Sequence, residues 1–196
     1  MSAPKLKIAD FGTPPEEITN SAGRKTFRRV EVTWSRPKVW ERGDSPPIDG
    51  AEHSGVCLYA IIADHHRSAS RERILYIGIT TRISSRFDNH PKALALSSKK
   101  WKTALSIGSV NFCGYRTAIN NPKPAIEQLE HLYVWVLIPE YNEKNAWTFP
   151  GMGMNRGRAW HVINGGHRFA GQMPLEIIYP WILVKPGRDR SLKRSG

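Results

Sequence analysis

The residues of this chain that could do chemistry are two tyrosines, a run of cations and one misplaced carboxylate. Tyr59 and Tyr76 each sit inside an apolar run, GVCLYAIIA over residues 55–63 and ILYIGI over 74–79. Arg82, Arg86 and His90 recur every four residues just beyond the second run. Glu130 falls among Ile126, Leu129, Tyr133 and Leu137, which share one helical face at 100° per residue. A carboxylate there is costly unless a cation or hydrogen bonds compensate it, whereas Glu127, toward the edge of that face, needs no explanation. Glu127, Glu130, Glu140 and Glu143 lie between two stretches without any Asp or Glu, 89–126 and 144–175. An acidic island in basic surroundings is a pattern suited to metal chemistry on a phosphate. The plainer readings are ordinary strand aromatics, a solvated helix face and a partly exposed carboxylate.

Charge says what such a site would meet. The 196 residues carry 29 Lys and Arg against 17 Asp and Glu, a net charge of +12, and the field should attract a polyanion, nucleic acid first. The excess rises along the chain, from +2 over 1–50 through +4 over 51–150 to +6 over 151–196. Charge alone favours simple binding without chemistry. Length and composition fit one domain with a real core, and no apolar run approaches the roughly 20 residues that cross a bilayer. The start, MSAPKLKIADFG, lacks the apolar segment of a signal peptide, and the two cysteines, Cys57 and Cys113, have no zinc spacing, so the expectation is a cytoplasmic protein with no membrane partner.

The elements that must position these residues follow from local pattern. Residues 1–26 read as an irregular arm, and 27–34 as a strand alternating Val30, Val32 and Trp34 with polar residues. The runs at 55–63 and 74–79 flank a polar loop and read as an antiparallel hairpin, with Tyr59 opposite Tyr76 on one face. Residues 82–90 read as a short helix stopped by Pro91, with Ile83 and Phe87 on its buried side. A third strand is expected near 109–118, a second helix from Pro124 to about Ile138, and a last strand-like run over 175–184 broken by Pro180.

The order of these features resembles the GIY-YIG nuclease family. The second motif element is literal, Tyr76-Ile77-Gly78. Arg86 follows Gly78 by eight residues and His90 comes four later, while Glu130 stands twelve before Asn142 with Pro139 between. The first element departs from the pattern: Cys57-Leu58-Tyr59 stands where Gly-Ile-Tyr is expected, and the continuation Tyr59-Ala60-Ile61 makes Tyr59 the better match than Cys57. The resemblance covers residues 55–142. It implies an α/β (α+β) fold in which a small central three-stranded antiparallel sheet is flanked by helices, here with an N-terminal extension over 1–54 and a basic C-terminal extension over 143–196.

The resemblance also implies a metal-dependent endonuclease that hydrolyses DNA phosphodiesters, with one divalent ion, Mg2+ or Mn2+, held by Glu130. In that reading Tyr59 orients or deprotonates the attacking water with Tyr76 beside it, and Arg86 grips the scissile phosphate. His90 supports Tyr59 or the phosphate, and Asn142 orients or closes the site. A phenol is a poor base at neutral pH unless positive charge from Arg82, Arg86 or the ion lowers its pKa. The two flanks carry five tryptophans, Trp34, Trp40, Trp147, Trp160 and Trp181, and are long enough to clasp a duplex. The expectation is a restriction-type enzyme on double-stranded DNA, in which a homodimer would pair two sites, with a structure- or damage-specific repair nuclease, a mobile-element nuclease and an inactive DNA-binding module as alternatives. His161, Asn164 and His167, with His65 and His66 upstream, faintly resemble a His-Asn-His nuclease, but the three lie too close together and lack a ββα frame.

Overall fold

The computed structural model describes residues 14–19, 22–41, 44, 46–48, 55–64, 72–81, 86–87, 90–99, 101–148, 159–179 and 183–185. Eight strands and three α-helices are present among them: β1 (Arg28–Trp34), β2 (Lys38–Trp40), β3 (Cys57–Ala63), β4 (Arg73–Thr80), α1 (Pro91–Ser97), β5 (Thr103–Asn111), α2 (Arg116–Asn120), α3 (Lys123–Leu137), β6 (Trp160–Gly166), β7 (Glu176–Tyr179) and β8 (Leu183–Lys185). No helix among the described residues is long and apolar enough to cross a membrane.

All eight strands join one sheet in the order β4-β3-β5-β1-β6-β7-β8, with β2 pairing β5 beside β1. The expected small three-stranded antiparallel sheet, flanked by helices and trailing extensions, is therefore corrected. β4, β3 and β5 do form an antiparallel unit, but β1 and β2 from the N-terminal side and β6 to β8 from the C-terminal side are hydrogen-bonded into the same sheet. β1 and β6 run parallel in register from Arg28↔Trp160 to Trp34↔Gly166. A parallel partner so distant in sequence has no hairpin turn to announce it.

Burial explains the arrangement. β3 is buried at every position because both its faces are covered. Leu58, Ala60 and Ile62 meet Val30, Val32 and Trp34 beneath Ile126, Leu129 and Tyr133 of α3. Tyr59, Ile61 and Ala63 on the other face meet Phe87, Ala93 and Leu96. A strand covered on both faces reads as a continuous apolar run rather than an alternation, as 55–63 does.

A buried polar node joins the outer strands to α3. Asn164 Oδ1 accepts from Trp34 Nε1 at 3.1 Å and from the Tyr133 hydroxyl. Trp34 and Tyr133 also pack edge to face at 5.7 Å. Gly166 permits the close approach of the two strands, since it adopts φ 76° and a Cβ there would collide with the Trp34 carbonyl.

Three local expectations change as well. The third strand lies at Thr103–Asn111, because Cys113 and Gly114, at φ 47° and 80°, turn the chain before 116–120 coils into α2. Pro91 opens a helix rather than stopping one: His90 is extended and accepts at Nδ1 from the Ala93 amide, capping α1. Most of the helix expected over 82–90, with Arg82 and Ile83, lies outside the described residues, as do His65, His66, Pro180 and Trp181. α3 begins one residue before Pro124, and Ile138 closes it in the left-handed region at φ 46°.

Leaving a buried donor unpaired costs about 1–3 kcal/mol per group. Asn164→Ala orphans two, the Trp34 indole and the Tyr133 hydroxyl, and is expected to lower unfolding free energy by about 2–5 kcal/mol in urea titration. A change below about 1 kcal/mol would show that the node does not hold β6 to the helix.

Candidate functional site

The site is built on β4, the edge strand. Its register with β3 sets Tyr59 against Gly78 and Ile61 against Tyr76, with a bulge between Ile61 and Ile62. The two tyrosines are thus diagonal neighbours on one face rather than directly opposite. The same-face expectation holds because the shift is two residues, which preserves side-chain direction. Their ring centroids are 6.0 Å apart. Gly78 makes this possible: a Cβ there would lie 2.5 Å from Tyr59 Cζ and Oη and 2.8 Å from Tyr76 Cε1. The third letter of the Tyr-Ile-Gly run is a space that the Tyr59 ring occupies.

His90 reaches the same face from the start of α1. Its Nε2 lies 2.9 Å from the Tyr59 hydroxyl. Because Nδ1 accepts from the Ala93 amide, the neutral ring carries its proton on Nε2 and donates it to the phenol oxygen. Burial, and next the Arg86 charge, lower the His90 pKa, so the ring is neutral at pH 7. His90 is therefore placed to support Tyr59 and not to take its proton. The Tyr59 hydroxyl interacts with Tyr76 and Arg86, and the Arg86 Cζ lies 6.0 Å from the Tyr59 ring centroid.

Burial raises the pKa of both phenols, Tyr59 well above its ordinary range. Arg86 pulls both down but does not overcome the loss of water around the rings. The expectation that positive charge makes Tyr59 a base at neutral pH is not met by these side chains alone. Cys57, the lesser match for the first motif, is buried, and burial pushes its thiol up to about 11.

Glu130 comes to this cluster from α3. Ile126, Leu129 and Tyr133 of its helix face are fully buried, Glu127 is exposed and Glu130 is half-buried, as the 100° periodicity required. Its carboxylate acts on Tyr76, and the cations nearest in effect are Lys144 and Arg86. Burial outweighs both and pushes its pKa up to about 7. Lys144, exposed in the segment after α3, is a neighbour that sequence spacing did not single out. A carboxyl held this way suits a cation. Among the described residues no group of three His, Cys, Asp or Glu gathers to cage a metal; Glu130 is the candidate donor and Glu127 the other carboxylate whose charge acts on it, a sparse set. Mg2+, which keeps most of its waters and takes substrate oxygens, fits such a set.

Asn142 is buried behind β4 rather than facing the phenols. Its Oδ1 accepts from the Ile77 amide at 2.9 Å and its Nδ2 donates to the Ile77 carbonyl at 2.7 Å. The side-chain amide pairs the outward edge of β4 as a neighbouring strand would. The structure thus brings Tyr59, Tyr76, Arg86, His90 and Glu130 to one region and places Asn142 beneath it.

The His-Asn-His grouping does not assemble. His161 lies between Glu16 and Glu176 at 3.5 and 3.3 Å, Asn164 serves the Trp34 and Tyr133 node, and His167 contacts Glu72 at 2.9 Å. A recess of about 350 Å3 opens at the start of β1, lined by Arg28, Arg29, Tyr115 and His161 among others, and holds none of the six site residues.

The Glu130 carboxyl makes stability depend on pH. Below pH 4.5 it is protonated in both folded and unfolded chains. Between 4.5 and about 7 the unfolded chain ionises first, so stability falls with rising pH, and the loss is complete above about 7. Glu130→Gln is expected to raise metal-free stability at pH 8, by on the order of 3 kcal/mol at most, and to change little at pH 4. Thermal unfolding of both proteins at the two pH values checks this, and an equal effect at both would contradict it.

Comparison of the chain with protein-family models, with curated proteins and with solved structures finds no match in any of the three.

Proposed function

We propose that this protein is a metal-dependent endonuclease that hydrolyses phosphodiester bonds of double-stranded DNA. The observation that carries the proposal is Glu130: a half-buried carboxyl with a pKa pushed up to about 7, on an otherwise apolar helix face, beside Tyr76 and Arg86 in a chain of net charge +12. The resemblance of residues 55–142 to the GIY-YIG family supports the same reading.

Hydrolysis needs an oriented water, countercharge for the pentacovalent phosphate and help for the departing oxygen. The exposed Arg86 guanidinium is placed to bind the phosphate and to offset charge as it develops. Tyr59, whose hydroxyl oxygen accepts a hydrogen bond from His90 Nε2 and interacts with Tyr76 and Arg86, would orient the attacking water. Glu130 would hold the ion, which when bound supplies a Lewis acid to the phosphate oxygens. The positive charge of the C-terminal side, +6 over 151–196, supports a duplex as substrate, and sequence-specific cutting by a pair of subunits is the finer part of this proposal.

Incubation with Mg2+ and supercoiled plasmid, branched DNA or single-stranded DNA tests it. Discrete plasmid fragments are expected. Glu130→Ala should abolish cleavage and leave salt-sensitive binding largely intact, while Arg86→Ala should lower the rate by about 10²- to 10³-fold. Full activity of Glu130→Ala overturns the metal assignment, and a loss of only a few-fold in Arg86→Ala reduces that residue to a binding contact.

A further inference from the structure

The segment that follows α3 carries an indole that the fold does not use. Trp147 is 85% exposed, whereas Trp34, Trp40 and Trp160 are each at most 2% exposed. An isolated apolar side chain on a surface is ordinary, but this one stands on a segment fastened at several points. The Lys92 ammonium donates to the Tyr141 carbonyl at 3.3 Å and pairs with Glu143 at 3.4 Å. Asn142 is bonded to Ile77, and Ala146 is buried in the core. On the far side of Trp147, the Thr148 carbonyl and hydroxyl lie 2.7 and 3.1 Å from His131 Nε2. His131 is the residue after Glu130, and Lys144 is the cation whose charge acts most on Glu130. The fold therefore spends several contacts on a backbone that presents a bare indole from the same short segment that carries Lys144 and is tied to His131, the residue after Glu130.

We infer that Trp147 is a nucleobase-stacking residue that seats the DNA strand next to Glu130. The inference rests on the nuclease reading and names the contact that positions its substrate. Among the described residues the flanking Glu143, Lys144 and Thr148 are polar and exposed, so the indole stands as an aromatic plane beside charged neighbours. A base offers a matching flat face, and the phosphates of its strand match Lys144, three residues before the indole, and Arg86, whose charge also acts on Glu130. Aromatic stacking on a base is sequence-tolerant, and an indole on a fastened backbone has only two side-chain torsions to fix on binding.

The test measures binding without cleavage, in EDTA, of a 2-aminopurine-labelled duplex and of the same strand alone. Trp147→Ala is expected to weaken binding by about 5- to 100-fold, with most of the loss restored in Trp147→Phe and the salt dependence unchanged. Wild type should quench 2-aminopurine at positions where Trp147→Ala does not. Thermal unfolding should be unaltered, since the side chain is exposed. Affinity within twofold of wild type in Trp147→Ala overturns the inference. So does a change in sedimentation with DNA affinity intact, which would make the indole a contact between copies of the chain. Failure of the wild-type chain to bind DNA overturns the nuclease reading on which the inference rests; cleavage by wild type with Trp147→Ala unaffected overturns the inference alone.

Discussion

The edge of β4 would present unpaired amides and carbonyls, and the side chain of Asn142 closes it. One primary amide supplies both an acceptor to the Ile77 N–H and a donor to its carbonyl, and the Tyr141 amide adds a bond to the Leu75 carbonyl at 3.0 Å. An open edge invites pairing with another chain. Closing it with the segment that leaves α3 does more than prevent that, because it fixes the helix carrying Glu130 relative to the strand carrying Tyr76. The candidate site depends on this joint. It adds to the core packing of Ile126, Leu129 and Tyr133 against Leu58, Ile74 and Ile77, which already holds the helix on these strands.

The joint allows a charge to be kept where the fold would exclude it. Glu130 lies on a helix whose neighbouring positions are core, and burial lifts its pKa to about 7 despite Lys144 and Arg86. A group in that state is poised to exchange a proton for a cation. The phenols feel the same effect in the same direction. Burial keeps Tyr59 and Tyr76 protonated, and His90, itself kept neutral by burial and Arg86, donates to the Tyr59 oxygen instead of accepting from it. The protein side chains thus prepare orientation and countercharge, and leave the lowering of any water or phenol pKa to groups that arrive with the substrate.

Much of the site was legible because it depends on local pattern. The positions of Tyr59 and Tyr76 on one face follow from strand period, and the half-burial of Glu130 follows from helix period. The register did not follow: Tyr59 faces Gly78 rather than Tyr76, one residue of that two-residue offset arises at the bulge between Ile61 and Ile62, and Gly78 leaves room for the ring. Pro91 was read as a stop, yet a proline is as well suited to a first helical turn as to the residue after the last, and the His90 side chain decided for the former. The sheet was least legible. HVINGGH suggests a tail or a His-Asn-His motif when read alone, and its first six residues become a strand only beside β1, 130 residues away at the contact between Trp34 and Asn164. Local pattern cannot show that the flanks complete the sheet on which the motif rests.

The central claim is that Glu130 is a metal-ready carboxyl. Its titration by carbon NMR, in protein labelled at glutamate, measures this directly. The account predicts a metal-free midpoint near 7, moved well below the ordinary carboxylate value by saturating Mg2+, and selective broadening of the same signal by Mn2+. A midpoint near 4.5 that neither ion alters would contradict it.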